Sequence, residues 1–394
     1  MNERLKKWIQ TGSFDTVFLL IVCVLLTVGI VMMFSASYVS SSYDRKTGYN
    51  PYYYFTRQIT FAAMGIAAMF IVSRIRLALL KKWAPLILIG CVALLVLVLI
   101  APLKISDKED FRRWLGIPGV FQFQPSEVAK LGLIIFCART LSMKARQQNA
   151  LGQNGDPAIR TCLLITLFFC FLVILERHLS GTILMLGIGA VMLALGGVKK
   201  KWITLTIGAA VFGILIFLAF HDKIIEILPI KEYQKTRIVA WLDKDYDPTG
   251  DRWQTNQSLY AIGSGGLFGL GLGKSKQKFL YMPEPQNDFV FAIVCEELGF
   301  VGAVLILVLF AVLIWRGFDI AMRSKDRFSA LTVMGIMSHI GLQVILNVLV
   351  VTDTIPNTGI GLPFFSYGGS SLFMLLAEVG IVLSASRASQ VRKR

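Results

Sequence analysis

The feature that most constrains this chain is the length of its apolar runs. They lie at 16–36, 58–73, 83–103, 126–142, 161–176, 180–198, 202–220, 288–315, 329–352 and 368–386, each bounded by charged or polar residues. A bilayer core takes roughly 20 mostly apolar residues of helix. Lipid offers no water to an unpaired backbone group, so runs of this length cross as helices rather than barrel strands. The run at 126–142 is the weakest, because Glu127, Lys130 and Arg139 lie within it. Hydrophobic residues make up 55% of the chain and charged residues 16%, which excludes both an ordinary soluble protein and a disordered one. The expected fold is an all-α polytopic membrane protein with about ten transmembrane helices, forming a single membrane domain over 1–394.

The net charge is +16, from 40 Lys and Arg against 24 Asp and Glu. These charges are spread between apolar runs and not gathered on one soluble face. They suit an anionic membrane surface and an anionic substrate, and no nucleic-acid partner is expected. The cysteines (Cys23, Cys91, Cys137, Cys162, Cys170 and Cys295) fall in or beside apolar runs without a CxxC pair. They read as packing residues, not as a disulfide framework or zinc site. No cleavable signal peptide is evident, since the first apolar run is too long and lacks a convincing cleavage site.

An even number of spans places both termini on one side. The short loops at 74–82, 139–160, 199–201 and 316–327, with the tail from Arg387, carry clustered Lys and Arg. The positive-inside rule makes these loops and both termini cytoplasmic. The segments 37–57, 104–125, 221–287 and 353–367 then face outward. The third, between helices 7 and 8, is a large extracytoplasmic loop, and long structured loops are usually functional.

Three look-alikes fail on detail. Gly269 to Ser275 resembles a P-loop, but the position five before its Gly-Lys pair is Phe268. Asp243, Asp245 and Asp247 resemble the start of a calcium loop, which needs Gly at Pro248 and Glu at Gln254. His178, His221 and His339 show no ligand spacing.

Polar residues at lipid depth or its margin carry more information, because they are costly there. Gln124-Pro-Ser-Glu127 opens the fourth helix, with Pro125 suited to a first helical turn. Glu127 and Lys130 stand i,i+3, either as a self-neutralising pair or as functional groups. Arg113-Trp114 suits a phosphate beside a sugar face, or an interfacial anchor. Gly-rich backbone beside Lys274, Lys276 and Lys278 forms either a diphosphate cradle or a flexible turn with solvated lysines. Asp288 stands where loop becomes helix, as a helix N-terminal acid or as a base facing an outer cleft. Glu296 and Glu297 lie deeper, so at least one must face protein or a cation.

The motifs together resemble the SEDS family (shape, elongation, division and sporulation proteins), the FtsW, RodA and SpoVE group. They are Phe34-Ser-Ala-Ser37, Arg113-Trp114, Phe123-Gln-Pro-Ser-Glu127 with Lys130, Leu179-Ser-Gly-Thr182, Gln257-Ser258-Leu259 and Ala261-Ile-Gly-Ser-Gly-Gly266. Pro283-Glu284 with Asp288-Phe289, Glu296-Glu-Leu-Gly299, Gly359 and Leu362-Pro-Phe-Phe-Ser-Tyr-Gly-Gly-Ser-Ser371 follow in order. Lys274 to Lys278 and Tyr281-Met-Pro-Glu284 resemble the FtsW/SpoVE branch more than RodA. Two departures stand out: Arg177 follows Glu176 where the family often has Pro, and Thr358 stands where some division-type members carry Lys.

The resemblance implies a peptidoglycan glycosyltransferase for division or sporulation-type wall synthesis. Such an enzyme polymerises lipid II, a disaccharide-pentapeptide on undecaprenyl diphosphate, at the outer face of the bacterial cytoplasmic membrane. It implies Asp288 as the essential carboxylate. It places Arg113, Trp114, Gln124, Glu127, Lys130, Arg237, Gln257, Ser258, Lys278, Glu284, Ser366 and Tyr367 around the substrate. The partners implied are a class B penicillin-binding protein and other division or wall-synthesis membrane proteins. The chemistry is consistent. A sugar hydroxyl attacking an anomeric carbon loses a proton, which a carboxylate can take. The leaving diphosphate gains charge that Arg, Lys or a divalent cation (Mg or Mn) must stabilise. No organic cofactor is expected. Two rival readings remain open, a lipid II flippase and a noncatalytic scaffold that recruits a wall synthase.

The orientation is tested by single cysteines in a cysteine-free background. Thr249→Cys is expected to react with an impermeant reagent added to intact cells, and Leu151→Cys is expected not to. The reverse pattern overturns the orientation.

Overall fold

A computed structural model describes residues 10, 12–100, 113–117, 121–151, 157–198, 204, 208, 232–243, 250 and 252–390. The expected seventh span at 202–220 lies outside them apart from residues 204 and 208. So do Arg112, residues 221–231 and the acidic turn at 244–249. The described chain forms α1 (Thr16–Tyr43), α2 (Tyr53–Val72), α3 (Leu77–Ile100), a hairpin of β1 (Leu115–Ile117) and β2 (Phe121–Phe123), and α4 (Pro125–Leu151). Then follow α5 (Pro157–Leu175), α6 (Leu179–Leu195), α7 (Glu232–Leu242), α8 (Trp253–Gly265), α9 (Val290–Met322), α10 (Arg327–Val351) and α11 (Gly369–Gln390).

Seven of these, α1, α2, α3, α5, α9, α10 and α11, are long and apolar enough to cross a membrane. The charged α4 and the shorter α6 occupy two more of the expected spans. The protein is a multi-pass, all-α membrane protein, with one antiparallel hairpin pairing Leu115 with Phe123.

Several helices outrun their apolar cores. The serine-rich end of α1 is still helical, and its hydroxyls are satisfied by bonding back along the helix. Ser41 Oγ donates to Ser37 O at 2.7 Å and Ser42 Oγ to Tyr38 O at 2.8 Å. Lys81 and Lys82, read as a boundary, lie inside α3, where Lys81 Nζ reaches 5.8 Å from the Phe328 ring centroid. Long cationic side chains can leave lipid while their backbone stays helical.

The most buried of the spanning helices are α10 and α11. α2 packs on α11 and α9 on α10, while α3 lies against α4 and α5 against α6. Small residues let the backbones approach. A Cβ on Gly65 of α2 would stand 2.6 Å from Leu376 Cδ1, and one on Gly380 of α11 would stand 2.6 Å from Met69 O. Leu86, Ile89, Phe171, Leu305 and Trp315 are exposed and face the lipid side of the bundle.

α9 is broken at Gly299, whose φ is 70° and ψ is −173°. The break frees backbone groups that lipid cannot satisfy. The glycine-rich segment after α8 takes them up. Leu270 N donates to Glu296 O at 2.9 Å and Gly271 N to Glu297 O at 3.0 Å. On the other side Phe300 N donates to Gly266 O at 2.9 Å and Val301 N to Leu267 O at 3.0 Å. Only glycine permits this approach: a Cβ on Gly269 (φ 78°) would stand 2.5 Å from Glu297 C, and one on Gly299 2.6 Å from Leu267 O. Gly269→Ala and Gly299→Ala are each expected to cost at least about 1–3 kcal/mol through backbone strain. Lower melting temperatures in detergent check this, and unchanged ones refute it.

Candidate active site

The hairpin delivers Gln124 directly to α4, which Pro125 opens. One turn on, Lys130 Nζ pairs with Glu127 Oε2 at 2.9 Å, and Lys130 is buried. Arg113, just before β1, donates to Arg177 O in the α5–α6 turn. His178 in the same turn has Nδ1 3.3 Å from both Gln124 Nε2 and Ser126 Oγ. Burial, then the charge of Arg113, pushes His178 down to about 3, so its imidazole is neutral. Beside it the Glu176 carboxylate is fully buried with no hydrogen-bond partner among the described residues. Burial pushes it up to about 8, against the lowering charge of Arg113.

Asp288 stands two residues before α9. Asn347, buried on α10, donates through Nδ2 to Asp288 O at 2.7 Å and to Ile360 O at 2.6 Å. One amide thus ties the start of α9 to the 353–368 segment. One turn earlier Gln343 Nε2 donates to Gly361 O at 2.9 Å. Gly359 has φ 76°, and a Cβ there would stand 3.2 Å from Asp288 Oδ2. Ser180 Oγ donates to Thr358 O, fixing the same segment to α6. Burial raises Asp288 to about 6, with Arg237 and Arg113 lowering it and Glu284 raising it.

Of these residues, Arg113, Gln124, Glu127, Lys130, His178, Ser180, Asp288, Gln343 and Gly359 line one cavity of about 810 Å³. The structure brings Arg113, Trp114, Gln124, Glu127, Lys130, Glu284, Asp288, Ser366 and Tyr367 to its wall. Ser366 Oγ accepts from Leu362 N at 2.7 Å, and Tyr367 N donates to Gln286 O at 2.8 Å, so the turn they share is braced. Arg237 stands on α7 outside this wall, donating to Asn357 O at 3.0 Å, and reaches Asp288 through its charge.

Gln257, Ser258 and Lys278 are not brought to the cavity. Gln257 is buried on α8, and Ser258 Oγ donates to Val351 O at 2.7 Å. Lys278 is buried against Glu297, with Nζ 2.8 Å from Oε1. The cradle reading of the glycine–lysine segment is corrected accordingly, because its donors serve internal carboxylates. Gly273 N donates to Glu297 Oε2 at 3.0 Å and Lys276 N to Glu296 Oε1 at 2.8 Å.

The cavity also gathers residues that sequence reasoning missed, namely Arg57, His178, Ser180 and Gln343. Arg57 directly precedes the apolar run at 58–73, but α2 begins at Tyr53 and carries it inward, over the Tyr53 ring at 4.5 Å. A usable signal existed for α10. His339, Gln343 and Asn347 recur every four residues within an apolar run, which marks one polar helix face.

Among the described residues no three His, Cys, Asp or Glu side chains form a metal cage. Asp288 with Glu284 offers one or two carboxylates, the number magnesium uses when substrate phosphates complete its shell. The site therefore combines a carboxylate raised toward neutrality, cations on the facing walls, and an apolar flank of Phe61, Met64 and Leu375. Such a set can accept a proton and stabilise a developing anion beside a lipid chain.

Known proteins are similar to this chain along nearly its whole length. The chain is 41% identical over 377 residues to stage V sporulation protein E of Bacillus subtilis, covering 95% of this chain and 98% of that one. It is 35% identical over 386 residues to the probable peptidoglycan glycosyltransferase FtsW of Trichlorobacter lovleyi, covering 98% and 96%. Its fold matches a chain solved in work on polymerization and crosslinking by a peptidoglycan synthase complex, with TM-score 0.71, 27% identity and coverage of 95% and 98%. It also matches the rod shape determining protein RodA of Thermus thermophilus, with TM-score 0.66, 26% identity and coverage of 95% and 97%. The family model described as "Cell cycle protein" matches residues 15–391, and the chain belongs to that FtsW, RodA and SpoVE family.

Proposed function

We propose that this chain is a peptidoglycan glycosyltransferase that polymerises lipid II at the outer face of the cytoplasmic membrane. The observation that carries the reading is Asp288, held by its backbone at the wall of a cation-lined cavity in a chain with such relatives. In the reaction the acceptor sugar hydroxyl attacks the anomeric carbon of the lipid-linked unit. A carbon–oxygen bond to the acceptor forms, and the bond to diphosphate breaks, its electron pair leaving with the diphosphate. Asp288 takes the hydroxyl proton. Arg113, Arg57 and Lys130 face the same space and stabilise the leaving charge. In its alternative role, Asp288 with Glu284 would hold a divalent cation that supplies charge to the diphosphate. The apolar flank receives the lipid chain. Both termini face the cytoplasm in this reading. The partner is a class B penicillin-binding protein, a reading supported by the likeness to a chain from a peptidoglycan synthase complex.

Asp288→Asn keeps shape and removes charge. The purified variant is expected to insert and melt as the wild type does, and to lose about 10²–10⁴-fold in lipid II polymerisation rate. Near wild-type polymer from well-folded variant refutes the assignment.

The base works only when ionised. Polymerisation is therefore expected to fall as pH drops through about 6, the raised value of Asp288. The Arg237 charge favours the ionised form. Arg237→Gln is expected to push the acid limb of the kcat/KM profile to higher pH, and a limb that stays put or moves lower contradicts this.

A further inference from the structure

Outside the Asp288 cavity lies a separate groove of about 340 Å³, between α7, the start of α8 and the 353–357 segment. Its size falls within the range of about 300–1,000 Å³ typical of small-molecule sites. Trp241 and Trp253 line it, and each has its ring edge pinned. Trp241 Nε1 donates to Asp353 O at 3.1 Å and Trp253 Nε1 to Tyr281 O at 2.6 Å. Both rings are half-buried, so neither is a packed core residue. Around them stands a polar rim tied into one network. Gln254 Nε2 donates to Pro283 O at 2.9 Å, and Asn357 Nδ2 donates to Gln254 Oε1 at 3.2 Å.

We propose that this groove is a saccharide-binding platform, which holds sugar units of the glycan strand beyond those that react. The inference rests on the glycosyltransferase reading. Aromatic side chains in fixed orientation offer flat apolar area at little entropic cost, which suits the C–H face of a pyranose ring. Carboxamides at the rim match hydroxyl and acetamido groups, because each amide both donates and accepts.

Both arginines of the groove are engaged within the protein. Arg237 donates to Asn357 O at 3.0 Å, and the buried Arg252 is matched by Asp353, with Nη2 2.6 Å from Oδ2. An anion arriving there would have to displace that carboxylate.

The groove is linked to the reaction cavity through neighbouring residues. Gln254 holds Pro283, the neighbour of cavity-lining Glu284. Asn357 Oδ1 accepts from Gly359 N at 3.1 Å, and a Cβ on Gly359 would stand 3.2 Å from Asp288 Oδ2. Arg237 lines the groove and acts on Asp288 by charge. Each bond formed lengthens a strand whose older sugars must leave the membrane-embedded cavity while the reacting end stays. A platform so linked to the cavity retains the strand between additions.

The test uses the full chain in detergent carrying Asp288→Asn, so that nothing turns over, and chitotetraose as a lipid-free probe. Saturable binding is expected, unaffected by excess inorganic diphosphate. Trp241→Ala and Trp253→Ala are expected to weaken it about tenfold, and Trp253→Phe to retain most of it. Because an alanine variant can misfold, a second measurement keeps both indoles. Chitotetraose should shield part of the tryptophan fluorescence from quenching by aqueous iodide, a shielding lost in Gln254→Ala. In the otherwise wild-type enzyme, Trp253→Ala should shorten the mean polymer.

Absent binding, equal binding by folded variants, or full competition by diphosphate overturns the platform. Loss of a co-purifying partner synthase from Trp253→Ala with glycan binding unchanged makes the groove a protein contact, and also overturns it. Failure of the wild type to make polymer counts against the glycosyltransferase reading, whatever the binding result.

Discussion

Backbone hydrogen bonding in lipid governs this structure, and the break in α9 is where that constraint bears hardest. A helix interrupted at Gly299 leaves amides and carbonyls that must find protein partners. The 266–271 segment supplies them. Glu296 and Glu297 then anchor the rest of the loop. Glu296 accepts from Ser275 Oγ at 2.5 Å and from Lys276 N, while Glu297 accepts from Ser35 Oγ of α1 at 2.7 Å and from Lys278 Nζ. Both carboxylates are buried. Left unpaired, a buried charge costs about 3–5 kcal/mol, so these contacts hold the loop in one place.

That anchor sets the stage for the site. The N-terminal half of α9 is held by α1, by the loop and by α10, and Asp288 sits at its mouth. On α10 the polar face continues the bracing. His339 Nδ1 lies 3.0 Å from Glu378 Oε2 of α11, Gln343 holds Gly361, and Asn347 holds Asp288 and Ile360. One helix face thus reaches from the bundle interior to the cavity wall. The carboxylate's position follows from backbone clamps on either side, not from its own side-chain contacts.

Much of this was legible in the sequence, and the failures share a cause. Apolar length marked the seven described helices long enough to span, because lipid selects for it directly, and the weaker runs located α4 and α6. Charges were poorer markers of helix ends, since Arg57 and Lys81 ride inside helices whose long side chains turn toward neighbours or water. The motifs brought Arg113, Glu127, Asp288 and Tyr367 to a common wall. Lys278, Gln257 and Ser258 stand equally prominently in the sequence, yet Lys278 pairs with Glu297, Ser258 bonds α10 and Gln257 is buried away from the cavity. A motif records that a residue matters at its position and does not say whether it touches substrate or holds the fold. The three-dimensional pairing of Lys278 with Glu297, nineteen residues apart, is invisible to spacing rules for a single helix.

The bracing of Asp288 also bears on how the site works. A group that must alternate between two faces of a membrane needs an element with two arrangements. The Asp288 backbone is instead tied through Asn347 to the 360 region, and that region through Ser180 to α6 and through Gln343 to α10. Moving the carboxylate would break contacts to several helices at once. Bond formation rewards the opposite property, a base held at fixed distance and angle from the attacking oxygen. The fixed carboxylate, raised toward neutrality by burial and kept ionisable by Arg237 and Arg113, suits proton transfer at one face of the membrane better than carriage across it.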